Sequence, residues 1–199
     1  MTSVEAFVAQ YPFSQHPQLF DHKYSILGLC QLVEYRAFPM YMAMDLAMQL
    51  RMPYYYLVAA VKADDPNIDV NHTQSESEIK ACHTLTAHEP FVSVFSGYSV
   101  LGYAMYKINL QKATAEITTL AVDKLYRRQG IGTQLMNFMI REITDQHTIA
   151  KAITLHVDVH ATEAYRLYLR LGFQKLHTII GYYRRGSDAD VLQYKIIRS

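Results

Sequence analysis

The feature that most constrains this chain is the run Arg127-Arg128-Gln129-Gly130-Ile131-Gly132-Thr133, which puts two glycines and two arginines at a strand-to-helix junction. Upstream, Ala115 to Asp123 reads as a strand, with Ile117, Leu120 and Val122 apolar. Downstream, Gly130 to Ile143 carries Leu135, Met136, Met139, Ile140 and Ile143 at the spacing of an amphipathic helix. A helix start presents unpaired N–H groups and partial positive charge. Glycines let a ligand reach that backbone, so the junction suits a pyrophosphate, with both arginines adding charge-assisted bonds. The spacing is neither the dinucleotide fingerprint nor the Walker A loop, which needs Lys-Ser/Thr after its second glycine. A lone Gly-x-Gly is more often an ordinary tight turn. The flanking strand, helix and arginines favour the ligand site.

The rest of the chain alternates strands and helices. Tyr24 to Arg36 suits a helix with Ile26, Leu29, Cys30 and Val33 apolar. Pro39 interrupts it by pushing Phe38 out of helical geometry, and Met42 to Leu50 resumes the pattern. Tyr54 to Val61 reads as a strand, and Phe91 to Asn109 as two strand-like pieces broken near Ser96-Gly97. Past the glycine junction come a strand at Ala152 to Val159 and a helix at Thr162 to Leu171 that buries Ala164, Leu167, Tyr168 and Leu171. Gly172 is its C′ residue, and strands follow near Phe173–Ile180 and Val191–Ile197. This order predicts an α/β fold with a mixed sheet. Residues 1–22 read as an extension and 23–199 as one domain, with 63–90 a long connection holding six acids and one Lys.

Composition narrows the function. The 199 residues are half apolar and 19% charged, enough for a packed core, and the net charge is +1. No basic face for nucleic acid emerges. The longest uncharged run, Pro90 to Tyr106, is too polar and too broken by Pro and Gly to span a membrane. No signal peptide is visible at the start. Cys30 and Cys82 lack C-x-x-C spacing, and His72, Cys82, His83 and His88 lack ligand spacing. The expectation is a cytoplasmic protein without a metal or disulfide.

Thr119-Leu120-Ala121-Val122-Asp123 followed by Tyr126-Arg127-Arg128-Gln129-Gly130-Ile131-Gly132 resembles the acetyl-CoA signature of the GNAT acetyltransferases. Leu155-His156-Val157, Ala164, Leu167-Tyr168 and Gly172-Phe173 resemble that superfamily's second signature. Phe38-Pro39, Tyr182-Tyr183 and Asp188-Ala189-Asp190-Val191-Leu192 are similar to the protein N-terminal (Nα) acetyltransferases, a branch that includes the ribosomal-protein alanine acetyltransferases. The resemblance implies the GNAT fold, a mostly antiparallel mixed sheet with helices on both faces. It implies acetyl-CoA as co-substrate, its pantetheine arm paired with the backbone of Leu120, Ala121 and Val122. Arg127, Arg128, Gln129, Gly130, Ile131, Gly132 and Thr133 would hold the pyrophosphate. Ala161 departs from the family's usual Asn, and the 63–90 connection exceeds the expected short hairpin.

Acetyl transfer needs a neutral amine, a donor for the carbonyl oxygen and a proton for the leaving thiolate. Lone strand histidines are usually structural, but the resemblance makes His156 the leading base, a group that accepts protons near neutral pH. Glu116 is the second candidate, as base, as partner of His156 or as a charge for the ammonium group. Tyr168 is the candidate acid at the coenzyme A sulfur. Phe38, Pro39, Met40, Tyr182 and Tyr183 would line a slot for an extended peptide end. The reading is acetylation of a protein or peptide α-amino group. The alternatives are a GNAT enzyme for small amines or lysine side chains, and an acetyl-CoA-binding module without catalysis.

Overall fold

The computed structural model describes residues 5–10, 26–38, 43–50, 52–63, 82–84, 98–183 and 186–198. The chain divides into two compact units, Met1–Tyr103 with Ala121–Ile131, and Ala104–Leu120 with Gly132–Ser199.

The first unit contains β1 (Glu5–Gln10), α1 (Ile26–Ala37), α2 (Leu46–Leu50), β2 (Tyr55–Ala63), β3 (Cys82–Thr84) and the first half of β4 (Tyr98–Asn109). Its strand order is β3-β1-β2-β4. β1 runs antiparallel to β2, from Glu5↔Val61 to Gln10↔Tyr56, and parallel to β3. Within the 1–22 stretch Glu5–Gln10 form β1, and within the 63–90 connection Cys82–Thr84 form β3. Both short strands exist through partners far away in sequence, which a local periodicity cannot reveal. Tyr56 to Ala60 on β2 are all buried, as befits a strand with both faces covered.

α1 buries Cys30, Val33 and Glu34. Its polar side chains serve the backbone that leads into α2. Glu34 Oε1 accepts the Met44 N–H at 2.9 Å, and the Tyr103 hydroxyl donates to Oε2. Gln31 donates to the Met44 carbonyl at 2.8 Å and accepts the Leu46 N–H at 2.9 Å. Asp45 accepts the Met48 N–H and so starts α2 at Leu46. The helix expected from Met42 is accordingly shorter, because a capping aspartate stands outside the helix it caps. Gly102 on β4 passes so near β5 that a Cβ there would lie 2.7 Å from the Ala121 carbonyl oxygen.

The second unit holds the second half of β4, most of β5 (Thr114–Val122), α3 (Ile131–Gln146), β6 (Ala152–Asp158), α4 (Thr162–Arg170), β7 (Gln174–Ile179) and β8 (Ala189–Lys195). Its strand order is β4-β5-β6-β8-β7. β4 is continuous from Tyr98, and residues 91–97, including the break expected near Ser96-Gly97, lie outside the described residues. Asn109 accepts the Lys112 N–H in the turn to β5. β8 runs antiparallel to both β6 and β7, whereas β5 and β6 are parallel. The fold is mixed α/β, as expected. α3 buries Ile131, Leu135, Met136, Met139 and Ile143, close to the stripe read from the sequence.

Candidate active site

The polar side chains of the second unit converge on one face of the sheet. Along β5, Ala115, Ile117, Thr119 and Ala121 are buried while Glu116 lies on the alternate, half-open side. Glu116 stands beside Thr154 across the parallel ladder, which puts His156, two residues further along β6, on the same face. Glu116 Oε1 is 4.0 Å from His156 Nδ1, and Oε2 is 3.1 Å from Lys107 Nζ on β4. The Tyr182 ring stacks on the imidazole, with centroids 4.6 Å apart and planes 2° from parallel. Tyr183 meets Tyr182 edge-on at 4.9 Å.

Burial pushes the His156 imidazole below its ordinary value, and Lys107 and His177 push the same way against the opposing pull of Glu116. The net result is a ring that stays neutral at neutral pH, the form that can accept a proton.

Tyr168 owes its place to the end of α4. Gly172, at φ +91°, closes the helix; its N–H bonds to the Leu169 carbonyl and the Phe173 N–H to the Tyr168 carbonyl. The turn brings the Phe173 ring to 6.0 Å from that of Tyr168. Of the four residues expected on the buried face, Tyr168 is buried while Ala164, Leu167 and Leu171 are only half-buried. Burial first, then Tyr183, raises the Tyr168 phenol far above the ordinary range. It therefore stays protonated and fits a donor. Tyr183 is pushed up to about 12 by burial, Tyr182 and Asp158.

Two features fit a long nucleotide thioester. β5 and β6 pair only from Thr114↔Ala152 to Ile117↔Leu155, although β5 runs on to Val122 and β6 to Asp158. Beyond Ile117 the backbone of β5, Leu120 included, has no ladder partner on β6, so a pantetheine arm can hydrogen-bond there as an added strand would. At the other end of the signature, Asp123 Oδ1 accepts the Leu125 N–H and Oδ2 binds Arg36 Nη1 at 2.8 Å. After the 3₁₀ turn Lys124–Tyr126, Arg128 (φ +62°) and Gly130 (φ +83°) are left-handed, and α3 begins at Ile131 with no acid in its first turn. This start leaves N–H groups for an anion. Arg127 Nε bonds to the Val122 carbonyl at 3.1 Å, and Gln129 reaches the Leu125 carbonyl, so these side chains also brace the loop.

Among the remaining expected residues, Phe38 lies in the first unit, half-buried, its N–H on the Glu34 carbonyl at 3.0 Å. Pro39 and Met40 lie outside the described residues, as do His72 and His88. Ala161 provides no side-chain cap for α4. Instead Asp158 organises the turn, taking the His160 N–H and the Ser187 hydroxyl. The sequence reading missed Lys107. Counting back from the turn after Asn109 would have paired it with Glu116.

The second unit is thus a mixed α/β layer that brings Lys107, Glu116, His156 and Tyr182 together on one face of its sheet. Residues 45–173 match the model of the acetyltransferase (GNAT) family, and the chain belongs to that family. It is 32% identical over 109 residues to an N-alpha-acetyltransferase of Saccharolobus solfataricus, covering 50% of this chain and 64% of that one. It is 38% identical over 85 residues to N-alpha-acetyltransferase 50 of Danio rerio, covering 42% and 49%. The chain thus spans less than two thirds of these relatives. Among solved structures, the ribosomal-protein-S18-alanine N-acetyltransferase of Escherichia coli shares the fold at a TM-score of 0.61, with 18% identity and 98% of this chain and 96% of that one covered. Arabidopsis thaliana NAA60 with a bisubstrate analogue shares it at 0.62, with 18% identity and 96% and 99% covered.

Proposed function

We propose that this chain is an acetyl-CoA-dependent N-acetyltransferase that acetylates the α-amino group of a protein or peptide in a ternary complex. The carrying observation is the His156 imidazole, stacked under Tyr182 and 4.0 Å from Glu116, on the face where β5 and β6 part. The relatives named N-alpha-acetyltransferase support the choice of acceptor.

Acetyl-CoA supplies an activated acyl carbon when bound. The backbone of Leu120, Ala121 and Val122 holds its pantetheine arm, and the loop from Arg127 to Thr133 with the start of α3 holds its diphosphate. His156 takes a proton from the incoming ammonium group, with Glu116 beside it. Tyr168, protonated throughout the working range, donates to the departing sulfur. An α-amino group titrates near ~8 against ~10.4 for lysine, so a peptide terminus asks less of this base than a lysine does. Tyr182 and Tyr183, beside the His156 ring, receive the peptide end.

The test is incubation with acetyl-CoA and a panel of peptides with free α-amines, lysine peptides blocked at the terminus, polyamines and aminosugars. Turnover on free-terminus peptides is expected. Turnover confined to small amines or to lysine overturns the acceptor, and calorimetric binding of acetyl-CoA without any product overturns catalysis.

A further inference from the structure

Lys107, Glu116 and His156 form a row across three adjacent strands, with Glu116 in the middle and one carboxylate oxygen toward each neighbour. Lys107 and Glu116 face each other at 3.1 Å with roughly a third or less of each side chain exposed, so water screens the pair only partly. A carboxylate next to an imidazole favours the protonated ring. Left alone, Glu116 would keep a base in the form that cannot accept a proton.

We propose that Lys107 is a positioning residue of this site: its ammonium group grips Glu116 and offsets that carboxylate's pull on His156, leaving the imidazole free to take up a proton. The inference rests on the reading of His156 as the base. The other groups around the ring do not replace Lys107. From β8 the neighbour of His156 in the ladder is Val191, which carries no charge. From β7, His177 lies opposite that same Val191 and adds a second, exposed imidazole. From the segment after β7, Tyr182 covers the ring and Tyr183 meets Tyr182 edge-on. On β6 itself, Asp158 is occupied by Ser187 and the His160 N–H. Lys107 is therefore the lysine that balances Glu116 in this row.

The experiment titrates the His156 ring by NMR in the wild type, Lys107→Met and Lys107→Arg, with the resonance assigned by its loss in His156→Ala. The acid limb of kcat/KM is measured alongside. In Lys107→Met the midpoint should rise by about one pH unit, and Lys107→Arg should return it toward the wild-type value. An unmoved midpoint, even with slower turnover, assigns Lys107 a merely structural role and overturns the inference. A midpoint that rises while the acid limb stays in place upholds the inference and removes His156 as the base instead. Should Lys107→Met fail to fold, Lys107→Gln, which removes the charge but keeps a polar chain beside Glu116, provides the same test: the midpoint should rise, and an unchanged value overturns the proposal.

Discussion

A histidine on a strand becomes a base when its surroundings keep it neutral and hold it still. The proposed base His156 has burial on β6 lowering its pKa and the parallel Tyr182 ring stacked 4.6 Å away. Removing the imidazole by His156→Ala should lower kcat by ~10²-fold or more at pH 8, measured with the best peptide of the panel. Unchanged turnover would pass the role to Glu116. Tyr168→Phe retains the ring that packs on Phe173 and deletes only the hydroxyl. It should leave the thermal midpoint nearly unchanged while kcat falls by ~10²-fold. A fall in stability without loss of kcat would make this phenol a core residue and nothing more.

Elements, not single residues, make the proposed nucleotide seat. β4 and β5 approach so closely at Gly102 that a methyl group there would strike the Ala121 carbonyl, and backbone cannot yield as a side-chain tip can. Gly102→Ala should cost about 1–3 kcal/mol in urea unfolding. The loop before α3 depends on Gly130 at φ +83°. A β-branched residue at that angle is strained by about 1–3 kcal/mol and would also cover the N–H groups at the helix start. Gly130→Val is thus expected to abolish acetyl-CoA binding in calorimetry, and normal affinity would refute the anion seat. Such features were partly legible: Gly130 and Gly132 stood out between strand and helix, but nothing local marked Gly102, whose neighbour lies nearly twenty residues away.

Across the molecule, buried ionisable groups pull stability in opposite directions with pH. His156 and His147 are lowered, chiefly by burial. Their contribution is full above ~6.5 and is lost as pH falls through the folded values. Glu34 is raised, because burial outweighs its bonds from Tyr103 and Met44. Its charged form costs stability at neutral pH, a cost relieved as pH falls through its raised value toward ~4.3. Asp190, lowered by Lys175 and Thr178, loses its contribution only below ~3.9. Glu34→Gln removes the one term of this set that grows on acidification. Urea midpoints of wild type minus variant should therefore rise between pH 7.5 and pH 5, and a flat difference would mean that Glu34 titrates normally.

The sequence by itself determined the α/β alternation, the amphipathic α3, the Gly172 stop of α4 and the signature around Gly130. Each is written in short-range periodicity and in backbone-special residues. It also named His156, Glu116, Tyr168 and Tyr182 as candidates, since the motifs that carry them are local. Only the tertiary structure decided that Tyr182 stacks on His156, that Lys107 shares Glu116 with it, and that Gln31 and Glu34 serve the backbone before α2. Strand pairing and helix packing join residues separated by nine to about seventy positions, and a contact of that kind leaves no period in the chain. The strands β1 and β3 escaped for the same reason: each is short, and its partners lie elsewhere in the sequence.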